Sequence, residues 1–143
     1  MSITQIGVFI ENKAGHIARV LNAFDEASVQ VRGYCASDTG DYGIVRFVVD
    51  DPAAAKEVLS NMGCAVVVKE VLCVRLVDKP GELARIMGVF AKLGINVEYS
   101  YSLVSTYIAI AVSDFDAAES ALESESIELV DQVKLASLTG LDE

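Results

Sequence analysis

The fold of this chain is decided by the stretch VRLVDKPGELARIMGVF, residues 74–90, and by a related stretch that precedes it, VFIENKAGHIARVLNAF, residues 8–24. Aligning Gly15 with Gly81 sets an offset of 66 residues (81 minus 15). At this offset seven positions are identical without a gap: Val8 with Val74, Lys13 with Lys79, Gly15 with Gly81, Ala18 with Ala84, Arg19 with Arg85, Phe24 with Phe90, and Val31 with Val97. After the second strand the offset drops to 63, which places Asp51 on Asp114 and indicates that the second copy has lost three loop residues. The pattern indicates an internal duplication.

Each copy contains a helix with one apolar face, flanked by strands. Ile17, Val20, Leu21 and Phe24 recur at i, i+3, i+4 and i+7, and the equivalent positions of the second copy do the same. Apolar runs bounded by turn residues predict the strands that follow the helices. These are Val29–Ala36, Gly43–Val49 and Cys64–Val68 in the first copy, and Ile95–Leu103, Tyr107–Val112 and Ile127–Leu135 in the second.

A second helix is predicted in each copy. Asp51-Pro52 and Asp114 are typical helix starts, since an acidic side chain is favourable at the positive end of the helix dipole. We expect these helices to end near Met62 and Glu123. The stretch 38–41, Asp-Thr-Gly-Asp, is typical of a turn between strands.

Each copy therefore follows the order strand, helix, strand, strand, helix, strand. The sequence predicts an α+β protein made of two ferredoxin-like βαββαβ repeats with antiparallel sheets, at residues 1–70 and 71–143. The nearly continuous apolar run Ala65–Val77 leaves no room for a linker, so we expect the repeats to pack as one rigid pair.

Composition and charge narrow the class of function. The formal net charge of -10 disfavours binding to nucleic acid or to an anionic membrane. No apolar run reaches the roughly 18 residues that span a bilayer, and the first residues lack a signal-peptide layout, so we expect a cytoplasmic protein. Three cysteines without Cys-x-x-Cys spacing predict buried or half-buried free thiols and no metal site. Units of about 70 residues are small, and we expect a homodimer.

The loop DKPGEL at residues 78–83, together with the strand start GINV at residues 94–97, resembles the signature of the ACT domain. The first copy resembles it less closely, because it lacks the proline and has Ser28-Val29-Gln30 at the later position. The resemblance covers nearly the whole chain, twice. The chain is also similar to stand-alone tandem ACT proteins, which have no enzyme domain. It implies a sensor that binds an amino acid or related metabolite, regulates an enzyme in trans, needs no cofactor and catalyses nothing.

The chemistry of the loop suits such a ligand. A helix start presents unpaired N–H groups and a partial positive charge to a carboxylate, and glycine permits close approach. The oxygens of Asn12 and Asp78 are available for a ligand ammonium group. In the family a neighbouring unit supplies the opposite wall, at positions that match Gln30 and Asn96. The candidate binding residues are Asn12, Lys13, Ala14, Gly15, His16, Ile17, Gln30, Asp78, Lys79, Pro80, Gly81, Glu82, Leu83 and Asn96.

Other interpretations of these residues remain open. Asn12 and Asp78 are also suited to cap the helices that follow, and Gly94 to end a helix in a left-handed conformation. His16 is either a ligand contact or a solvent-facing residue. Tyr99 and Tyr101 share one face of a strand, which suits a core, an interface or a ligand wall. Two other functions also fit the fold: a scaffold that recruits an enzyme without a ligand, and an acylphosphatase-like hydrolase, which the absence of an arginine in either loop disfavours.

Overall fold

The computed structural model describes residues 1–11, 13–38 and 42–138. Its elements are, in order, β1 (Ile3–Glu11), α1 (His16–Glu26), β2 (Val31–Asp38), β3 (Tyr42–Val49), α2 (Pro52–Asn61), β4 (Ala65–Arg75), α3 (Glu82–Lys92), β5 (Val97–Ser102), β6 (Tyr107–Val112), α4 (Phe115–Ser124) and α5 (Gln132–Ser137). The chain divides into two compact units, one formed by Thr4–Lys69 and one that begins at Glu70 and includes Met1–Ile3. The order βαββαβ is complete in the first copy. The second copy shares β4 and follows the same order through α4, with an isolated bridge at Leu129 in place of its last strand. No helix in the described part of the chain is long and apolar enough to cross a bilayer.

The first unit is an antiparallel sheet with two helices packed on one face. β3 pairs with β1 from Gln5↔Val48 to Glu11↔Tyr42 and with β2 on its other side. The strand order is β2-β3-β1-β4. The core lies between sheet and helices and includes Ile6, Val8, Phe24, Phe47 and Leu59.

The second unit repeats this arrangement. β6 pairs antiparallel with β4 and with β5. Its core includes Leu72, Val74, Phe90, Ile110 and Leu122. These are the positions reached from the first core by adding 66 or, after the second strand, 63, so the structure confirms the duplication and its change of offset.

Both copies use the same helix ends. Gly15 and Gly81 precede α1 and α3 in the left-handed conformation, with φ 88° in each. The carboxylates of Asp51 and Asp114 accept hydrogen bonds from the N–H groups of Ala54 (3.1 Å) and Ala117 (3.2 Å), which confirms the predicted helix starts. Gly94 ends α3 with φ 66°, as predicted. The first copy places Ser28 there with φ 59°, although a side chain is disfavoured in this region.

The last predicted strand, Ile127–Leu135, is wrong. Only a short segment pairs with β4: Leu129 bridges Val74, the Arg75 N–H donates to the Glu128 carbonyl, and the Val130 N–H donates to the Cys73 carbonyl. The Asp131 carboxylate then accepts from the Lys134 N–H at 2.9 Å and starts α5. Within this helix Leu135 is buried while Val133 is 79% exposed, so the apolar residues that suggested a strand do not share one buried face.

The hairpins differ between the copies. β2 and β3 have eight residues each, whereas β5 and β6 have six. The three lost residues therefore shorten the second hairpin. The predicted turn at 38–41 falls mostly on residues 39–41, which lie outside the described residues.

The three cysteines are free thiols, as predicted: Cys35 and Cys64 are half-buried and Cys73 is fully buried. Burial in β4 raises the pKa of the Cys73 thiol from 9.0 to about 12. The folded-state pKa thus exceeds the unfolded one. The stabilising effect of the neutral thiol is complete below about pH 9 and is lost as the pH rises from 9 towards 12.

We therefore expect Cys73 to resist thiol reagents in the native protein, because the thiolate is the reactive form. Titration with a chromogenic disulfide at pH 8 should show two faster thiols, Cys35 and Cys64, and a third that reacts only as fast as the protein unfolds. Cys73→Ala should remove the slow phase alone. Three thiols reacting at one fast rate would contradict the burial of Cys73.

Candidate functional site

A cleft of about 310 Å³ lies in the second copy, between the start of α3 and the β5–β6 hairpin. It is lined by Leu76, Val77, Asp78, Lys79, Gly81, Leu83, Ala84, Ser102, Ser105, Thr106, Tyr107 and Ile108. This volume is at the lower end of the range of small-ligand sites, about 300–1,000 Å³. The predicted loop and the hairpin therefore form one concave surface.

The backbone of the loop turns sharply into the helix. After β4 ends, the Leu76 N–H donates to the Thr106 carbonyl at 2.7 Å, and the Lys79 N–H donates to the Val77 carbonyl at 2.8 Å. The first bond within the helical turn comes from the Arg85 N–H to the Gly81 carbonyl, at 2.9 Å. Among the residues that the structure describes, no acceptor meets the N–H groups of Leu83 and Ala84. Leu83 and Ala84 line the cleft, and their N–H groups belong to the positive end of the helix dipole, a favourable place for an anion.

Asp78 does not cap the helix. Gly81 occupies the N-cap position of α3, and no side chain bonds to the helix start there. The capping interpretation is therefore wrong for Asp78, whose exposed carboxylate lies in the lining of the cleft. Gly15 occupies the same position before α1, also without a side-chain cap.

Two charged groups at this helix start behave differently. Lys79 lines the cleft, and no carboxylate in the described ranges forms an ion pair with its ammonium group. Glu82 is occupied by Arg85, whose guanidinium donates to both carboxylate oxygens at 3.3 and 3.2 Å. The net local charge in the cleft therefore comes from Lys79, Asp78 and the helix dipole.

The first copy has an equivalent but smaller cleft of about 150 Å³. It is lined by Ile10, Glu11, Lys13, Ile17, Ala36, Ser37, Gly43 and Val45. The Lys13 ammonium group lies 3.0 Å from a Glu11 carboxylate oxygen. A hydrogen bond from Lys13 and its charge lower the pKa of the Glu11 carboxyl.

The structure brings only some of the predicted site residues together. Asp78, Lys79, Gly81 and Leu83 meet in the second cleft, whereas Pro80 and Glu82 are not part of its lining. Lys13 and Ile17 line the first cleft. Ala14 and Gly15 precede α1 and His16 begins it, and none of the three lines the first cleft. His16 is half-buried. Asn12 lies outside the described residues.

Gln30 and Asn96 lie away from the clefts of their own units. They follow α1 and α3, and an eleven-residue helix is about 16 Å long, so they sit near the far end of the helix from the loop. Their backbones are held there: the Gln30 N–H donates to Asp50 at 2.8 Å and the Asn96 N–H donates to the Ser113 hydroxyl at 3.1 Å. A role for them in ligand binding requires that they come from another unit.

The hairpin residues of the cleft were missed in the sequence. Ser102 lies in a predicted strand and Ser105 and Thr106 precede another, but their place beside the loop depends on the pairing of β4 with β6. The signal that could have found them is the antiparallel order, which puts the start of β6 opposite the end of β4 at Arg75↔Tyr107. Tyr99 and Tyr101 are outside this lining. Their half-buried rings stack with centroids 6.4 Å apart.

This fold and its paired clefts define a duplicated ferredoxin-like protein. The family profile described as an ACT domain pair matches residues 1–139, and the chain therefore belongs to that family. An ACT pair is a regulatory type of domain and not a catalytic one. Among curated proteins, no sequence matches this chain.

Solved structures share the fold over nearly the full chain. The protein BT0572 from Bacteroides thetaiotaomicron is 27% identical, with a TM-score of 0.91 over 96% of this chain and 98% of that one. The regulatory subunit of aspartate kinase from Thermus thermophilus, in a ligand-free form, is 22% identical, with a TM-score of 0.64 over 86% of this chain and 89% of that one. These likenesses agree with two βαββαβ repeats.

Proposed function

We propose that this chain is a regulatory protein that binds a small carboxylate-bearing metabolite, an amino acid above all, at the helix-start cleft. The proposal is carried by one observation: Lys79, Leu83 and Ala84 line a common cleft, and within the described part of the chain the N–H groups of Leu83 and Ala84 have no hydrogen-bond acceptor. Membership of the ACT family supports it. The protein itself catalyses no reaction.

Both charges of an amino acid find partners in this loop. The carboxylate accepts hydrogen bonds from the helix-start N–H groups and is attracted by Lys79. The ammonium group donates to the Asp78 carboxylate, which lines the same cleft. A zwitterion therefore satisfies donors and acceptors that the protein leaves to solvent.

Regulation follows if the ligand favours one arrangement of the units. A ligand shifts such an equilibrium only through contacts that differ between the states. We propose that Gln30 or Asn96 of a neighbouring unit closes the cleft over the ligand, in a homodimer, and that the altered dimer acts on an enzyme in trans. The far position of both residues from their own clefts supports this arrangement.

The test is thermal unfolding and calorimetric titration with each of the twenty L-amino acids. At 100 times its dissociation constant a ligand adds about 2.7 kcal/mol to the free energy of unfolding, which raises the melting temperature measurably. Asp78→Ala should abolish the shift. Asp116→Ala, which removes an exposed carboxylate from α4, is the matched control and should retain it.

Two results would overturn this proposal. A melting temperature unmoved by every amino acid would favour the scaffold. Esterase or phosphatase turnover that disappears in Lys79→Gln would indicate the hydrolase instead.

A further inference from the structure

The two clefts occupy equivalent places but do not have equivalent linings. Ile10, Lys13 and Ile17 correspond to Leu76, Lys79 and Leu83 at the offset of 66 residues, so the chemistry of the helix start is retained. Two charged lining positions differ between the copies. Glu11 of the first cleft corresponds to Val77 of the second, and Asp78 of the second cleft corresponds to Asn12, which lies outside the described residues.

The difference between Glu11 and Val77 determines whether the lysine of each cleft has a carboxylate partner. In the first copy the Glu11 carboxylate lies 3.0 Å from the Lys13 ammonium group and forms an ion pair with it. In the second copy a valine side chain stands at that position, and Lys79 has no carboxylate partner among the described residues. A ligand carboxylate would have to displace Glu11 from Lys13 in the first copy. In the second copy no carboxylate among the described residues has to be displaced from Lys79.

The strand ladder closes the first cleft as well. In the second copy Arg75↔Tyr107 is the last pair of the ladder between β4 and β6, and one further hydrogen bond runs from the Leu76 N–H to the Thr106 carbonyl at 2.7 Å. The equivalent pair, Phe9↔Ile44, is followed by Ile10↔Gly43 and Glu11↔Tyr42 in the first copy.

The strands of the first copy also approach closely around Gly43 of β3. A Cβ atom on Gly43 would stand only 3.2 Å from the Ser37 carbonyl oxygen and 3.8 Å from that of Ile10. The first cleft has about 150 Å³ against about 310 Å³ in the second, and falls below the usual range for small-ligand sites.

Resting on the function proposed above, we infer that only the second copy binds the metabolite, one molecule per chain, and that the residue at position 11 or 77 decides whether a copy is competent. The first copy holds its lysine in an internal ion pair, in a cleft that its own ladder closes. The duplication thus retains one sensing copy and one copy whose site is occupied by its own side chain.

The test introduces into the second copy, at position 77, the glutamate that the first copy has at position 11. Val77 is 51% exposed, so Val77→Glu is tolerated by the fold and places a carboxylate beside Lys79. Calorimetric titration with the twenty L-amino acids should give one site per wild-type chain. For the amino acid that binds wild type best, affinity should fall about tenfold or more in Val77→Glu, since a charged hydrogen bond is lost.

Two variants separate charge from other effects. Val77→Gln has the same length as the glutamate without its charge and should lose much less affinity than Val77→Glu. Val67→Glu puts the same charge on an exposed β4 position that lines neither cleft, and should bind as wild type does.

The outcomes distinguish this inference from the proposed function. Two sites per wild-type chain, or unchanged affinity in Val77→Glu, would overturn the inference and leave the proposed function standing. Equal losses in Val77→Gln and Val77→Glu would overturn the role of charge at this position. No binding of any amino acid to wild type would overturn the proposed function itself.

Discussion

Replacing Phe24 by alanine is expected to lower the free energy of unfolding by about 3–5 kcal/mol, the usual cost of removing a large aromatic side chain from a core. Phe24 is only 1% exposed and lies in the first core. Its ring meets that of Phe47 edge to face, with centroids 5.2 Å apart and planes at 84°, which adds to the stabilisation from burial. Urea denaturation followed by circular dichroism measures the loss.

Tyr34→Ala provides the control for this prediction. Tyr34 is also an aromatic residue of the first unit, on β2, but it is 57% exposed. Removing its ring should change the free energy of unfolding by about 0.5 kcal/mol or less. Similar losses in the two variants would mean that the first core is not packed as described.

Replacing Gly81 by alanine is expected to destabilise the protein by about 1–2 kcal/mol, because an L-residue is disfavoured in the left-handed region. Gly81 has φ 88° and ψ -8°. A Cβ atom there would meet no atom within 4 Å, so the cost comes from the backbone conformation and not from a clash. The change in the midpoint of thermal or urea unfolding measures it.

Gly88→Ala is the matched control and should have the opposite sign. Gly88 lies inside α3 with open space around it, and its φ is not positive. Alanine there should add up to about 1 kcal/mol, since glycine is a poor helix former. If both alanines destabilised the protein equally, the assignment of Gly81 as a left-handed helix start would be contradicted.

Much of this fold could be predicted from the sequence because the signals are local. The apolar spacing of α1 and α3 identifies the buried Val20, Phe24, Ile86 and Phe90, but Ile17, Leu21 and Leu83 of the same stripes are exposed. Asp51 and Asp114 predict helix starts that the structure confirms. The prediction of a strand after Ile127 was wrong because the apolar residues there suit either a strand or a helix. Asp131, which caps α5 through the Lys134 N–H, was a local signal that favoured the helix.

The candidate site also has one part that local sequence predicts and one part that depends on strand pairing. Its loop could be predicted, since the glycine and the helix start are neighbours in sequence. Its hairpin wall has no local signal, because Ser102 and Thr106 reach the loop through the pairing of β4 with β6, which only the antiparallel strand order indicates. The small volume of the first cleft also depends on register, namely the pair Glu11↔Tyr42, which has no equivalent in the described ladder between β4 and β6.

The rigid packing of the two repeats, the homodimer and the contribution of Gln30 and Asn96 stay predictions. Each concerns contacts between units, which a repeat read by itself does not determine. Light scattering during size-exclusion chromatography measures the number of chains in the assembly.

The most direct test of the account is a ¹⁵N-resolved NMR titration with the amino acid that binds best. The amide signals of Leu83 and Ala84 should shift most, while those of Ile17 and Ala18 at the equivalent helix start of the first copy should stay nearly unchanged. Shifts that leave Leu83 and Ala84 unaffected would contradict a ligand held by this helix start.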